Sequence, residues 1–218
     1  MFIDSNSRSE KENRTFSVKV NSFVARHEYS VLRHFAIDKN GIQQDYLVRV
    51  INKSTLKKNS RRLPFDVSDD VLDGIDNLYN ELEIRKQLSH PNLLSLYAIR
   101  DTTNYVILFE EFCGGGLCMK ATDDYQYYIP TRDAKTYSEE EAARIIFDVC
   151  SGLYYLHSRQ ICHLNLRPDR FVRTRSGDTK ISGLSYVCNV HNDLLGGLRE
   201  SFSGDRFFQA PECWKGAR

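Results

Sequence analysis

Polar side chains that could act in catalysis gather in residues 161–172, a short segment that includes His163, Asn165 and Arg170. An amide such as Asn165 has no basic site for a proton, and the guanidinium of Arg170 repels a metal cation rather than binding it. His163 follows His157 by six residues with no third ligand nearby, so we interpret both histidines as structural. At these positions the segment offers neither a proton acceptor nor a metal ligand.

A helix is predicted directly before this segment. Ser138 and Glu141 have the spacing of a capping box, in which each side chain bonds the other residue's backbone N–H. Apolar residues then recur at helical spacing, at Ile145, Val149, Leu153 and Leu156. This helix would end near Ser158 and present residues 161–172.

The N-terminal half of the chain predicts antiparallel strands. Apolar residues alternate with polar ones at 16–20 and 46–50, and the sequence Asp-Lys-Asn-Gly at 38–41 is a turn signal. Residues 105–109 form a continuous apolar run that is typical of a buried strand. Between these stretches, a helical pattern runs from a cap at Ser68 to Leu88.

Residues 163–170 resemble the catalytic loop of eukaryotic Ser/Thr protein kinases, which reads His-Arg-Asp-Leu-Lys-Pro-x-Asn. In that family the Asp accepts the proton of the substrate hydroxyl and the Asn holds a metal ion. Asn165 and Arg170 stand at these two positions. Residues 179–185 resemble the strand that leads into Asp-Phe-Gly, with Gly183 at the position of the metal-binding Asp. The resemblance therefore implies degenerate catalytic positions at Asn165, Arg170 and Gly183, with no catalytic residue and no metal ligand.

The resemblance extends to the third strand and the helix that follows it. Leu47 and Arg49 stand where the family has a small Ala that packs against adenine and a Lys that grips the phosphates. Enlarging a fitted wall in this way typically costs about 1–3 kcal/mol. Glu81 matches the helix glutamate that pairs with the basic residue, so an Arg49–Glu81 ion pair of structural role is expected.

No glycine-rich phosphate loop is visible. If the loop ends at Val31, its three glycine positions fall on Val24, Arg26 and Tyr29. The resemblance then implies a degenerate ATP site, with Phe109 as a bulky gatekeeper, that comprises Val31, Leu47, Arg49, Glu81, Phe109 and Val172. We expect no cofactor, and weak metal-independent ATP binding stays open.

These blocks together predict an α+β fold of the two-lobe protein kinase type. Residues 1–15 would be a disordered tail, 16–112 a β-rich small lobe with one long helix, and 113–218 a partial large lobe. The large lobe would be incomplete, because the resemblance implies further helices beyond the activation segment, which would be residues 183–212, so we interpret the chain as C-terminally truncated. The apolar stripe of the helix after Ser138 would then lose much of its cover.

Composition narrows the class of protein without identifying a partner. A net charge of +1 over 218 residues gives no indication of nucleic acid or membrane binding. We interpret the basic residues 53–62 as a solvated loop, with a phosphate- or nucleic-acid-binding patch as the alternative. Six cysteines without a CxxC pair, and no signal peptide or membrane span, indicate an intracellular, cytoplasmic protein.

The expected function is that of a pseudokinase: a catalytically inactive kinase-like domain that acts by binding a protein partner, as a scaffold or an allosteric regulator. One alternative is a divergent Ser/Thr protein kinase that retains ATP binding and weak phosphotransfer. A second alternative is a truncated product without independent function. On the first interpretation the chain is not an enzyme, and nucleotide binding is weak or absent.

Overall fold

The computed structural model describes residues 18–27, 30–39, 42–59, 74–122, 127–131, 136–184, 187–189 and 208. The chain forms two compact units. Unit 1 comprises Met1–Asn80 and Ser95–Phe112, and unit 2 comprises Glu81–Leu94 and Cys113–Arg218. The predicted tail at 1–15, the position of Tyr29 and most of the predicted activation segment lie outside the described residues.

Unit 1 is built on a five-stranded antiparallel sheet in the order β1-β2-β3-β5-β4. The strands are β1 (Val18–His27), β2 (Ser30–Lys39), β3 (Ile42–Asn52), β4 (Leu96–Asp101) and β5 (Tyr105–Glu111). The pairing of Lys39 with Ile42 closes the hairpin at the predicted turn. Both the antiparallel strands and the buried strand at 105–109 are therefore confirmed.

Two helices accompany this sheet, α1 (Lys53–Asn59) and α2 (Gly74–Arg85). The prediction of a loop at 53–62 is wrong for residues 53–59, because the Asn52 side chain accepts hydrogen bonds from the backbone and hydroxyl of Ser54 and caps a first turn. The predicted helix 68–88 is shorter, since α2 ends at Arg85. Its proposed start at Ser68 lies outside the described residues.

Among the described residues, the interior of unit 1 is mainly apolar, and a polar network lies beside it. The buried apolar residues described there are Val48, Ile51, Leu78, Val106 and Leu108. Asp101, at the end of β4, accepts a hydrogen bond of 2.6 Å from the Tyr79 hydroxyl and forms an ion pair of 2.6 Å with Lys53. These two contacts connect α1 and α2 to the same strand end.

Unit 2 contains the predicted long helix, α3 (Glu139–Ser158). Ser138 is its N-cap and accepts a hydrogen bond from the backbone N–H of Glu141, whose carboxylate in turn accepts one from the backbone N–H of Ser138. The capping box is therefore confirmed. The helix ends one turn before the segment 161–172, which it positions.

Short strands surround that segment. They are β6 (Gly116–Leu117), β7 (Met119–Ala121), β8 (Tyr128–Pro130), β9 (Ile161–Cys162), β10 (Phe171–Arg173), β11 (Thr179–Ile181) and β12 (Cys188–Asn189). β10 pairs with both β11 and β6, and β9 pairs with β12. A short 3-10 helix, Pro168–Arg170, joins the segment to β10.

The apolar stripe of α3 is covered, so the prediction that it loses its cover is wrong. Ile145, Val149 and Leu156 are buried in one cluster with Leu93 and Ile181, because the residues before β4 and the strand β11 lie against the stripe. The exposed apolar residues of α3 belong to a different face of the helix. They are Ile146, Phe147 and Tyr154, of which Tyr154 is 77% exposed.

Gly152 allows this close packing, and its replacement tests it. A Cβ at position 152 would lie 2.9 Å from the carbonyl oxygen of Asn92 and 3.0 Å from Cδ1 of Ile181. We expect Gly152→Ala to lower the free energy of unfolding, because overpacking costs about 1–3 kcal/mol and the gain in helix propensity only about 1 kcal/mol. Urea denaturation measures the change. Ser151→Ala is the control on the neighbouring position, and a Gly152→Ala protein as stable as this control would contradict the packing argument.

Candidate catalytic loop

A buried imidazole holds the segment 161–172 against the residues after β11. His163 is 3% exposed, and its Nε2 lies 3.2 Å from the carbonyl oxygen of Ser182. Because a carbonyl can only accept, Nε2 carries the proton and donates it. Nδ1 then accepts from the backbone N–H of Asn165 at 3.3 Å. Both ring nitrogens thus have a defined role in the neutral form, as expected for a structural histidine.

Burial lowers the pKa of His163 to about 4. The hydrogen bond to Ser182 opposes this shift, whereas the positive charge of Arg170 adds to it. The imidazole is therefore neutral at pH 7, and it is a positioning group for the loop.

The loop turns sharply at Leu164. The backbone N–H of Asn165 donates to the carbonyl of His163 at 2.9 Å, and Leu164 between them has a φ of 61°. A left-handed conformation costs a residue with a Cβ roughly 1–2 kcal/mol. The hydrogen bonds of His163 and Asn165 offset this strain. As a result Leu164 is 43% exposed while Asn165 is only 8% exposed.

Ser182, which directly precedes Gly183, is hydrogen-bonded to the C-terminal end of the loop at Arg170. Its backbone N–H and its hydroxyl both donate to the carbonyl of Arg170, at 2.7 and 2.9 Å. Gly183 follows with a φ of 72°, and a Cβ built there would lie 2.6 Å from Cδ of Arg170. The aliphatic part of Arg170 therefore occupies the space into which a side chain at position 183 would extend.

A carboxylate does lie within the loop, at Asp169. Its Oδ2 accepts a hydrogen bond of 2.9 Å from Nη2 of Arg167, and both side chains are about one-fifth exposed. The ion pair spans only two residues and places the carboxylate beside a cation. Such a partly exposed pair contributes at most about 1 kcal/mol to stability.

A magnesium ion does not fit this group of residues. Mg²⁺ requires oxygen ligands in octahedral arrangement, whereas the two positions that hold the metal in the family are a guanidinium and a glycine, which has no side chain. Among the described residues, no cluster of three or more His, Cys, Asp or Glu side chains could hold a metal ion. The misfit follows from the side chains and from the contact of Arg170 with Gly183.

The residues predicted for a nucleotide site in unit 1 lie on two faces of the sheet. Opposite residues of an antiparallel pair share a face. Leu47 pairs with Glu110 and Val48 pairs with Phe109, so Phe109 lies on the face away from Leu47 and Arg49. Arg49 forms an ion pair of 3.1 Å with Glu110, which is 3% exposed. Leu108 and Glu110, not Phe109, are the β5 residues on the same face as Leu47 and Arg49.

The remaining predicted positions are local features of their units. Val31 pairs with Val50 in unit 1, and Val172 pairs with Lys180 and Leu117 in unit 2. Glu81 forms a buried ion pair of 3.1 Å with Arg85, one turn further along α2. The Arg49–Glu81 ion pair and the grouping of these residues into one nucleotide site stay predictions.

Comparison with known proteins identifies the family. A family model described as Protein kinase domain matches residues 39–218. The chain belongs to the protein kinase family. Its α+β kinase fold is thereby confirmed, and the segment after α3 is the one whose sequence resembles the catalytic loop of this family.

The similar proteins are themselves named as kinases. Calcium-dependent protein kinase 5 of Plasmodium falciparum (isolate 3D7) is 26% identical over 175 residues, which cover 78% of the chain and 28% of that protein. Probable serine/threonine-protein kinase MARK-C of Dictyostelium discoideum is 31% identical over 146 residues, 64% of the chain and 17% of that protein. Aurora kinase of Schizosaccharomyces pombe is 29% identical over 136 residues, which cover 62% of the chain and 35% of that protein. The chain thus spans less than a third of the length of the first of these relatives.

The expectation that the chain is not an enzyme is wrong, because the relatives that it matches are named as kinases. Loss of a general base commonly lowers a rate by about 10²–10⁴-fold rather than to zero. The kinase catalytic loop also keeps its hydrogen-bonded frame through His163 and Ser182.

Two residues of the kinase domain were missed by sequence reasoning. Ser182 was not singled out, yet it hydrogen-bonds to both His163 and Arg170. Glu110 was not singled out either, yet its buried carboxylate pairs with Arg49. An acidic residue at the end of an apolar strand was the only available signal for Glu110, and no periodic pattern marks Ser182.

None of the helices among the described residues has the length and apolar character needed to cross a membrane.

The pH dependence of stability tests the burial of His163. Its pKa of about 4 in the folded protein lies below the ordinary 6.5, so between these values the unfolded chain binds a proton that the folded chain does not. We expect the free energy of unfolding to fall as the pH decreases from 6.5 to 4, by roughly 3 kcal/mol from this group. Denaturant titrations across that range should show a shallower decrease for His163→Gln. The exposed His157→Gln serves as the control, and identical pH slopes for the two variants would contradict the assignment.

Proposed function

We propose that this chain is the kinase-domain region of a divergent Ser/Thr protein kinase, which transfers phosphate slowly from a nucleotide to protein hydroxyl groups. Support comes from the family match together with relatives named as serine/threonine kinases. The single observation that carries the proposal is the intact frame of the catalytic loop. Hydrogen bonds of 2.7–3.2 Å join His163 and Arg170 of that loop to Ser182, the residue before Gly183.

The proposed rate is low because Asn165 cannot accept the proton of the substrate hydroxyl. Its amide oxygen can accept a hydrogen bond and so orient a hydroxyl, but the proton must pass to solvent. Positioning and electrostatic stabilisation supply most of the catalysis of phosphoryl transfer, and these do not depend on the base. Loss of the base alone therefore accounts for a reduction of about 10²–10⁴-fold.

The partner class that follows from this proposal is a protein substrate with an exposed serine or threonine. The net charge of +1 gives no preference for a strongly acidic or basic substrate. A mixed library of serine- and threonine-containing peptides is therefore the appropriate first substrate.

Restoring the carboxylate tests this proposal. Asn165 and aspartate have nearly the same shape, and the backbone hydrogen bonds of residue 165 to His163 do not involve its side chain. We expect Asn165→Asp to raise the initial rate of transfer from γ-labelled ATP by about 10-fold or more, because it restores a proton acceptor. Asn104→Asp, an identical change at an exposed turn, should leave the rate unchanged.

Mass spectrometry of the labelled peptides should place the phosphate on serine or threonine. Circular dichroism of each variant verifies that its fold is retained. The proposal fails if the natural sequence transfers no phosphate above a heat-denatured sample. It also fails if the rate gained by Asn165→Asp is matched by Asn104→Asp, since the carboxylate would then act through net charge alone.

A further inference from the structure

Two cysteines occupy opposite positions in the strand pair formed by β9 and β12. Cys162 of β9 is the register partner of Cys188 of β12, and the two strands run antiparallel. Both residues belong to unit 2. Cys162 is a free thiol of intermediate burial. The fold therefore brings two residues that carry thiols, distant in sequence, to a single register position.

This register sets the two backbones at the separation that a disulfide needs. Directly opposite Cα atoms of antiparallel strands lie about 4.5 Å apart in a non-hydrogen-bonded pair and about 5.5 Å apart in a hydrogen-bonded pair. A disulfide spans Cα atoms that are roughly 4.4–6.8 Å apart. Either kind of pair lies within this range, so a disulfide between the two positions requires no change of register.

Apolar packing holds the register in place. Ile161, directly before Cys162, and Val187, directly before Cys188, are 8% and 6% exposed and belong to the core cluster that contains Leu156 of α3. A slip of one residue between the strands would move Ile161 out of this cluster. Since successive residues of a strand alternate between its two faces, Cys162 lies on the face away from the cluster.

The other described cysteines are less suited to react with Cys162. Cys118 is 1% exposed, and burial raises the pKa of its thiol, so it forms less of the thiolate that reacts with oxidants. Cys113 precedes β6, and Cys150 is exposed on α3. Neither of these two belongs to the strand pair of β9 and β12. The register thus favours Cys188 as the partner of Cys162.

We infer that Cys162 and Cys188 are a redox modification site, at which a peroxide converts the two thiols into a reversible disulfide. The Cys162 thiolate attacks an oxygen of hydrogen peroxide, forms a sulfenic acid and releases hydroxide, which takes up the proton that the thiol has lost. The thiol of Cys188 then attacks the sulfenic sulfur, and its proton leaves with the hydroxyl group as a second water. In sum, two thiols and one hydrogen peroxide give one disulfide and two waters. A dithiol reductant reverses the step by thiol–disulfide exchange.

The disulfide closes a covalent ring that consists of residues 162–188. This ring contains His163 and Arg170, together with Ser182, which is hydrogen-bonded to both. Oxidation therefore fastens the beginning of the segment 161–172 to the residues that follow Gly183. The modification needs neither a nucleotide nor phosphotransfer, so its test is independent of the proposed function.

Peptide mapping of the oxidised natural chain tests this inference. Trypsin separates the two cysteines into the peptides 160–170 and 181–199, each of which contains a single cysteine. After treatment with hydrogen peroxide and alkylation of the remaining thiols, we expect mass spectrometry to detect these peptides joined, at their summed mass less two hydrogen atoms. Dithiothreitol should separate them. The joined pair should come from the monomer band of a non-reducing gel, since the bond forms within one chain.

Three results of this mapping would overturn the inference. In the first, peptide 160–170 keeps its thiol at peroxide concentrations that already oxidise the exposed Cys150. In the second, it is joined to a peptide other than 181–199. In the third, the joined pair occurs only in a dimer band. Because the mapping uses the natural chain, each of these results counts whether or not a variant folds.

Substitution of single cysteines verifies the order of the two steps. Cys188→Ser should abolish the joined peptide and leave Cys162 as a sulfenic acid that dimedone labels, because the second thiol is missing. Cys150→Ser removes an exposed thiol outside the strand pair and is the matched control, with an unchanged yield of the joined peptide. An equal loss of the joined peptide in both variants would show that the bond forms by exchange through Cys150, which would contradict the assignment to the strand register.

Discussion

The kinase catalytic loop depends on the hydrogen bonds of Ser182, which join three separate parts of the chain. Its carbonyl accepts from the His163 ring, and its backbone and hydroxyl donate to the carbonyl of Arg170. In a partly buried setting each unmade bond of this kind would cost about 1–3 kcal/mol. The loop can therefore tolerate changes in its reactive side chains while its backbone keeps one conformation. Because the hydrogen bonds of Ser182 fix the backbone without using the side chains at positions 165 and 170, those positions can differ from the family without loss of the fold.

Much of the fold could be predicted because it rests on patterns that are local in sequence. The capping box at Ser138, the apolar stripe of α3 and the apolar run of β5 each specify one element through its own residues. The helical turn after Asn52 was missed because lysine-rich segments are compatible with both a helix and a solvated loop. The decisive contact there is a single side-chain cap, which composition does not reveal.

The candidate site was less predictable, since its contacts join residues that are distant in sequence. Arg49 forms an ion pair with Glu110, which is 61 residues away and on the neighbouring strand, and no local pattern indicates this contact. Glu81 likewise pairs with Arg85 on its own helix, while the expected Arg49–Glu81 pair stays a prediction. Alignment with a family motif assigns one role to each position. It does not indicate which of several charged neighbours will satisfy a guanidinium once the strand register is set.

The contact between Arg170 and Gly183 also makes these two positions depend on each other. The stem of Arg170 occupies the space into which a side chain at position 183 would extend, and the left-handed backbone at Gly183 favours glycine. A side chain introduced at position 183 therefore requires the flexible stem of Arg170 to move aside. Substitutions at the two positions should combine non-additively, because each changes the space that the other occupies.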